Sequence, residues 1–123
     1  MDMRVARVKV ESIESGFKTV FKGSIHTDIE GLDRELKRVV IAKPRHVEID
    51  LAEVATISSM GLGLLVSFRN GIVGSGGTVK IVKVQKFMHS MFRFARLEEM
   101  FQIDSSAILT TPTGAGARKS GRA

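Results

Sequence analysis

The 123-residue chain has no cysteine, no tryptophan and no tyrosine, and only two prolines. Without cysteine there can be neither a disulfide nor a thiolate metal site. The three histidines, His26, His46 and His89, lie far apart with no ligand-like spacing, so no metal site is expected. No apolar run approaches the roughly 20 residues needed to cross a bilayer. The opening MDMRVARVKV interrupts its apolar residues with charge every second or third position, unlike a signal peptide or a membrane span. A cytoplasmic protein without membrane insertion is expected.

Charge is present but unevenly placed. Of the formal net +6, three charges sit on Arg118, Lys119 and Arg122, in a C-terminal stretch that holds no acid after Asp104. The remainder is interspersed with carboxylates, and with no Trp or Tyr for base stacking the charge reads as a solvated surface plus a basic tail, not as a nucleic-acid site. The length suits one domain. Composition shifts to Ser, Thr, Pro, Gly and Ala after Asp104, so a domain over 1–104 and a flexible basic tail over 105–123 are expected.

Within the domain the periodicities are clear. Met3 to Glu11 and Phe17 to Ile25 alternate around a turn at Ser15 and Gly16, which predicts an antiparallel hairpin. Thr27 and Glu30 have capping-box spacing, and Ile29, Leu32, Leu36 and Val39 then form one apolar stripe of a helix that ends at Lys43 and Pro44. Val47, Ile49 and Leu51 alternate with His46, Glu48 and Asp50, and Val79 and Ile81 flank Lys80. Strands buried on both faces read as continuous apolar runs, so this alternation predicts a sheet covered by helices on one face only and argues against a doubly wound nucleotide-binding enzyme. From Gln85 to Arg96 a third helix carries Phe87, Met88, Met91, Phe92, Phe94 and Ala95. That apolar arc is wider than one core stripe requires, which leaves core packing and a partner or lipid contact through Phe87 or Phe94 as alternatives.

The stretch from His46 to Gly77 carries the functional signal. A strand over Val47 to Leu51 is followed by a loop, by a turn at Ser58, Ser59, Met60 and Gly61, and by a helix to about Val73. Gly61, Leu65, Phe68 and Ile72 are spaced to face the sheet, whereas Met60, Gly63, Ser67 and Asn70 fall on an outer side. The glycines complete no nucleotide fingerprint, since no Lys-Ser/Thr follows Gly74 to Gly77 and Val66 stands where a third glycine would be needed after Gly61 and Gly63. No cofactor is expected. Two adjacent hydroxyls at a helix start, beside orphan amides and the positive end of the dipole, can act as a cap, as a phosphoacceptor or as a nucleophile. The last needs a base and an oxyanion site. His46 falls on the solvent register of its strand with no partner to orient it, so an enzyme is not expected.

These residues resemble the STAS domain, the family of bacterial anti-sigma factor antagonists and of the cytoplasmic domain of sulfate transporters. The family pattern is a hydrophobic strand ending in Asp-Leu, a loop, Asp-Ser-Ser-Gly, then Leu-Gly and an apolar helix. Asp50 and Leu51 match, Ser59 falls on the phosphorylated serine, and Gly61, Leu62 and Gly63 match. Ser58 replaces the acid before the phosphoacceptor, Met60 replaces the second serine, and Arg96 stands where the family often has glycine. Leu97, Met100 and Phe101 match apolar positions, and the likeness covers about the first hundred residues. The resemblance implies an α/β fold with a mixed four- to five-stranded sheet and helices on one face. It implies an anti-sigma factor antagonist that binds an anti-sigma factor of the serine-kinase type and is released by phosphorylation of Ser59, with ATP belonging to the kinase. The implied docking surface is Thr56, Ser58, Ser59, Met60, Gly61, Gly63 and Ser67, with His26 and Asp28 from a neighbouring loop. Self-association as a homodimer is compatible with this. The alternative that STAS-like proteins offer is an unphosphorylated subunit of a lipid-transport ABC complex or a signalling scaffold.

Overall fold

The computed structural model describes residues 6–26 and 29–110. Strands β1 (Arg7–Ile13) and β2 (Gly16–Ile25) form the expected hairpin, with Val8 opposite Phe21 and Ser12 opposite Phe17. Helix α1 (Glu30–Ile41) leads to β3 (His46–Ile57), and α2 (Ser59–Gly74) leads to β4 (Thr78–Gln85). Helix α3 (Lys86–Phe94), a 3-10 turn (Ser105–Ala107) and a short β5 (Ile108–Leu109) complete the chain order. The strands lie in sequence order across one five-stranded sheet, β1 antiparallel to β2 and all other pairs parallel.

Alternation sorts the two faces of that sheet. Thr19, Phe21 and Ile25 of β2, Val47, Ile49 and Leu51 of β3, and Val79 and Ile81 of β4 are buried. They join Leu32, Leu36 and Val39 of α1, Leu65, Phe68 and Ile72 of α2, and Met88 and Phe92 of α3 in one core. The opposite face carries Lys18–Asp50 and Lys22–Glu53 pairs at 3.9 Å and a Lys80–Asp104 pair at 3.4 Å. Helices therefore cover one face, as the patterning predicts.

The helix expected to begin at Thr27 begins at Glu30 instead, with Ile29 as an N-cap that offers no side-chain hydrogen bond. Thr27 lies outside the described residues, while Glu30 and Asp33 place negative charge in the first turn, where the dipole favours it. The other two helices end alike. After α2, Gly76 at φ +95° donates to the Val73 carbonyl at 3.0 Å and Gly77 to that of Ile72 at 2.9 Å. After α3, Arg96 at φ +62° donates to Arg93 at 2.9 Å and Leu97 to Phe92 at 2.8 Å. Both are Schellman stops that satisfy carbonyls of the last turn, and the left-handed position explains why a glycine would suit residue 96.

The domain also runs past the expected boundary at Asp104. Ala107 is buried, Ile108 pairs with Val84, and Leu109 pairs with Gln85. The reason lies in the outer edge of β4, whose backbone groups need partners. Phe101 accepts from the Ile81 amide at 2.9 Å, the Gln102 side chain donates to the Val79 carbonyl at 3.2 Å, and β5 pairs the end of the strand. The remainder of the expected tail, 111–123, lies outside the described residues.

Candidate functional site

The strand leading to the serines is longer than its sequence predicts. The expected loop after Leu51 is a continuation of β3, with Val54, Thr56 and Ile57 paired to Gly23, Ser24 and Ile25. Between Val20 and Ser24 the register slips twice, because β3 contributes an extra residue at two bulges. Each bulge shifts the inward side by one position, so the buried residues run Val47, Ile49, Leu51, Val54, Ile57. That spacing breaks the alternation and imitates a loop.

Two side chains support the first bulge. Asp50 Oδ1 accepts the Ala52 amide at 2.9 Å, and the Gln85 side-chain amide donates to the Ala52 carbonyl at 2.7 Å. Both backbone groups freed by the bulge are thereby satisfied. Asp50 is nearly buried, with Lys18 Nζ 3.9 Å from its other oxygen. Its position assigns it to holding the strand, and Gln85, whose role no local sequence pattern announces, is its counterpart.

At the end of β3 the two serines part. Ser58 is the N-cap of α2: its Oγ accepts the Gly61 amide at 3.1 Å and donates to the His26 carbonyl at 3.0 Å. Its amide donates to the Ile25 carbonyl at 2.9 Å, which carries the sheet ladder into the helix, and its carbonyl accepts from Leu62 at 2.8 Å. Ser59 is the first helical residue and is exposed, and among the described residues nothing engages its hydroxyl. With the amides of Gly61 and Leu62 taken, the orphan donors remaining in the first turn are those of Ser59 and Met60.

Of the residues expected at the surface, Met60, Gly63 and Ser67 are exposed on the outer side of α2, with Met60 54% exposed. His26 and Thr56 are exposed beside the helix start, and a His26 ring nitrogen lies 2.5 Å from the Thr56 hydroxyl. The structure thus brings His26, Thr56, Ser58, Ser59 and Met60 around one turn, while Ser67 lies further along the helix in a depression shared with Leu36, Lys37, Val40 and Ile41. Asp28 lies outside the described residues. Gly61 departs from the expectation, because it is buried and its missing side chain faces inward. A Cβ there would collide with the Ile25 carbonyl oxygen and stand 2.7 Å from Ile25 Cγ2 and 3.0 Å from Ile57 Cγ1. Glycine at 61 lets the helix start pack on the end of β2; it is not a docking residue. Gly63 has nothing within 4 Å of the corresponding position, so no internal contact demands a glycine there.

Among the described residues no side-chain base is hydrogen-bonded to either serine hydroxyl, and the histidine at the turn, His26, is engaged with Thr56. The Ser58 proton is directed at a carbonyl, which is no base. His46 stands at the start of β3, the end of the strand remote from Ser59, and its Nδ1 is 2.7 Å from the Thr78 hydroxyl. His89, on α3, is buried against Glu98, 2.5 Å away. Among the described residues no cluster of His, Asp and Glu could hold a metal ion, and no helix is long and apolar enough to cross a membrane.

A family model described as the STAS domain matches residues 19–108. Comparison with curated proteins gives no match. Among solved structures, the chain is similar to an anti-sigma factor antagonist from Mycobacterium paratuberculosis, at 20% identity and a TM-score of 0.70 over 80% of this chain and 84% of that one. It is also similar to the Bacillus cell fate determinant SpoIIAA in its phosphorylated form, at 14% identity and a TM-score of 0.60 over 91% and 98% of the two chains. For the anti-sigma factor antagonist SpoIIAA in its unphosphorylated form the identity is 13% and the TM-score 0.58, over 72% and 83%. At these identities the likeness is one of fold.

Proposed function

Since this chain belongs to the STAS domain family, we propose that it is an anti-sigma factor antagonist of the cytoplasm, a binding module whose docking is switched at Ser59. Unphosphorylated, it binds an anti-sigma factor of the serine-kinase type through the start of α2 and the adjoining His26–Thr56 edge, with Met60, Gly63 and Ser67 extending the contact. The kinase transfers the γ-phosphoryl group of ATP to Ser59 Oγ, forming an O–P bond as ADP leaves and the hydroxyl proton is lost. The phosphorylated chain then lets go.

The observation that carries this reading is the division of labour between the two serines. Ser58 is committed to the cap by a hydrogen bond in each direction. Ser59 is exposed and disengaged at the positive end of the helix dipole, where added negative charge is tolerated by the fold but alters what can dock. The family acid that Ser58 replaces would fill the same capping role, since Asp and Ser are comparable N-caps.

The test is phosphosite mapping by mass spectrometry on the protein from growing and stressed cells, with Ser59→Ala and Ser58→Ala variants. Phosphate on Ser59 that varies with condition, is lost in Ser59→Ala and persists in Ser58→Ala supports the switch. Ser58→Ala should also lower stability by about 1 kcal/mol, as loss of an N-cap does, whereas Ser59→Ala should not. Ser59 unmodified in every condition would sink the switch and favour the second reading, an unphosphorylated subunit of a lipid-transport ABC complex or a scaffold. The exposed Phe94 speaks for that second reading, because an apolar side chain left in solvent suits a lasting assembly.

A further inference from the structure

The two edges of the sheet differ. Along β4 the outer backbone groups are taken by Phe101, by the Gln102 side chain and by β5. Along β1, no strand among the described residues pairs with the outer side. Which of its backbone groups face outward follows from the hairpin. Only Glu14 and Ser15 separate the facing residues Ile13 and Gly16, so the bonds that close the turn can run only between Ile13 and Gly16 themselves. Hydrogen-bonded pairs then recur at Glu11–Lys18 and Lys9–Val20, and the amides and carbonyls of Val8, Val10 and Ser12 are left pointing away from β2.

The side chains along this edge are self-complementary. Val8, Val10 and Ser12 stand opposite Phe21, Thr19 and Phe17, on the face that the helices cover, but the cover gives out at the edge and Val10 is 37% exposed. Lys9 and Glu11 lie on the open face, their charged groups 3.4 Å apart. A second copy running antiparallel can match the outward backbone groups in three central registers. Centred on Lys9, the pairing sets Lys9 against Lys9, and centred on Glu11 it sets Glu11 against Glu11. Centred on Val10, it sets Lys9 against Glu11 twice, Val10 against Val10, and Val8 against Ser12. Like charges directly opposite destabilise a strand pair and opposite charges stabilise it, so charge selects the register centred on Val10. Charged side chains on an edge ordinarily deter pairing; this edge carries one of each sign, two residues apart, which a two-fold axis between them turns into attraction.

We propose that β1 is a self-association edge, through which two copies of this chain pair antiparallel about a two-fold axis at Val10 and join their sheets into one. The amide and carbonyl of Val10 exchange hydrogen bonds with those of Val10 in the second copy, and Val8 does the same with Ser12. Lys9 and Glu11 face each other at the closer, non-hydrogen-bonded spacing on the open face. The contact uses the same residues of both copies, so it closes at two and builds no filament. One strand of seven residues makes a small interface, and the dimer is a weak one that responds to concentration. Because β2 stands between β1 and the strand that ends at the serines, this edge is separate from the start of α2, and pairing there is independent of the state of Ser59.

The experiment is sedimentation velocity, with ¹⁵N spectra, on the full chain from about 10 μM to about 2 mM, the range in which so small an interface associates. The expected result is a passage from monomer to dimer, with concentration-dependent shifts at Val8, Val10 and Ser12. In a mixture of differently labelled copies, Lys9 of one should contact Glu11 of the other. Val10→Pro removes an outward amide without removing a bond of the β1–β2 ladder, and should abolish the dimer. Lys9→Glu and Glu11→Lys should each weaken self-association by roughly five-fold or more, since each sets like charges across the axis twice. Mixed in equal amounts, these two variants should associate as tightly as the original chain, because each then presents the charges that the other lacks; misfolding could not give that rescue. A chain still monomeric at about 2 mM, even one whose β1 takes up an extended peptide, would overturn the proposal. So would shifts centred on another element, or a mixture of the two charge variants that associates no better than either alone.

Discussion

Asp50 and Gln85 meet at the same peptide unit, the carboxylate of one taking the Ala52 amide at 2.9 Å and the side-chain amide of the other donating to the Ala52 carbonyl at 2.7 Å. They come from neighbouring strands and together hold open the bulge that lets β3 run on to the serines. Asp50→Ala should lower stability by about 1–3 kcal/mol, because it leaves the Ala52 amide without its acceptor. Asp50→Asn keeps an acceptor oxygen and should retain most of that stability, and Gln85→Met should resemble Asp50→Ala. Denaturant unfolding of the three variants checks this. Equal losses for Asn and Ala at position 50 would show that charge, and not the hydrogen bond, is what counts there.

Two glycines in one turn of α2 should behave in opposite ways. Gly61→Ala forces a Cβ onto the Ile25 carbonyl, so the helix start must lift off β2, at a cost of about 1–3 kcal/mol. Gly63→Ala meets open space and replaces the poorest ordinary helix former with the best, so it should stabilise by up to about 1 kcal/mol. Thermal unfolding separates the two. On the proposed function, Gly63→Ala should weaken partner binding while raising stability, a combination that a purely internal role cannot produce.

Arg96 is held in the left-handed region at φ +62° by the stop of α3. Arg96→Gly should raise stability by about 1 kcal/mol, since an L-residue is disfavoured there. A denaturant midpoint that falls would mean that the arginine side chain contributes more than the strain costs.

Asp104 joins the closing segment to β4. Its carboxylate accepts from the Ser106 hydroxyl at 2.5 Å and the Ser106 amide at 3.1 Å, and stands 3.4 Å from Lys80 Nζ. The Ser106 side chain first, and Lys80 after it, hold the carboxyl below the ordinary 3.8. A group depressed in the folded state stabilises above its unfolded value and loses that contribution as pH falls through the folded one. The 3-10 turn and β5 should therefore loosen below about pH 3.8. Amide exchange of Ala107 and Ile108 followed across pH 5 to 2.5, corrected for intrinsic rates, should show protection falling earlier there than in β3, and Asp104→Asn should remove the difference.

Much of this was written in local pattern. The hairpin, the inward stripe of α2 and the outer side holding Met60, Gly63 and Ser67 follow from periods of two and 3.6 residues, which depend on near neighbours alone. So does the overwide arc of α3, part of which does lie in solvent as Phe87 and Phe94. Tertiary structure decided the rest, because the deciding partner lies far along the chain. Ala52 needs Gln85 for its bulge, and Ser58 needs the carbonyls of Ile25 and His26 to become the cap and leave Ser59 free. Gly61 is buried only because the end of β2 lies against it, and residues 105–109 join the domain only because β4 has an edge to be paired. The sequence alone determined which faces are apolar and that two hydroxyls stand at a helix start. Which hydroxyl is spent and which is offered was settled by backbone groups some thirty residues away, through hydrogen bonds that no local pattern encodes.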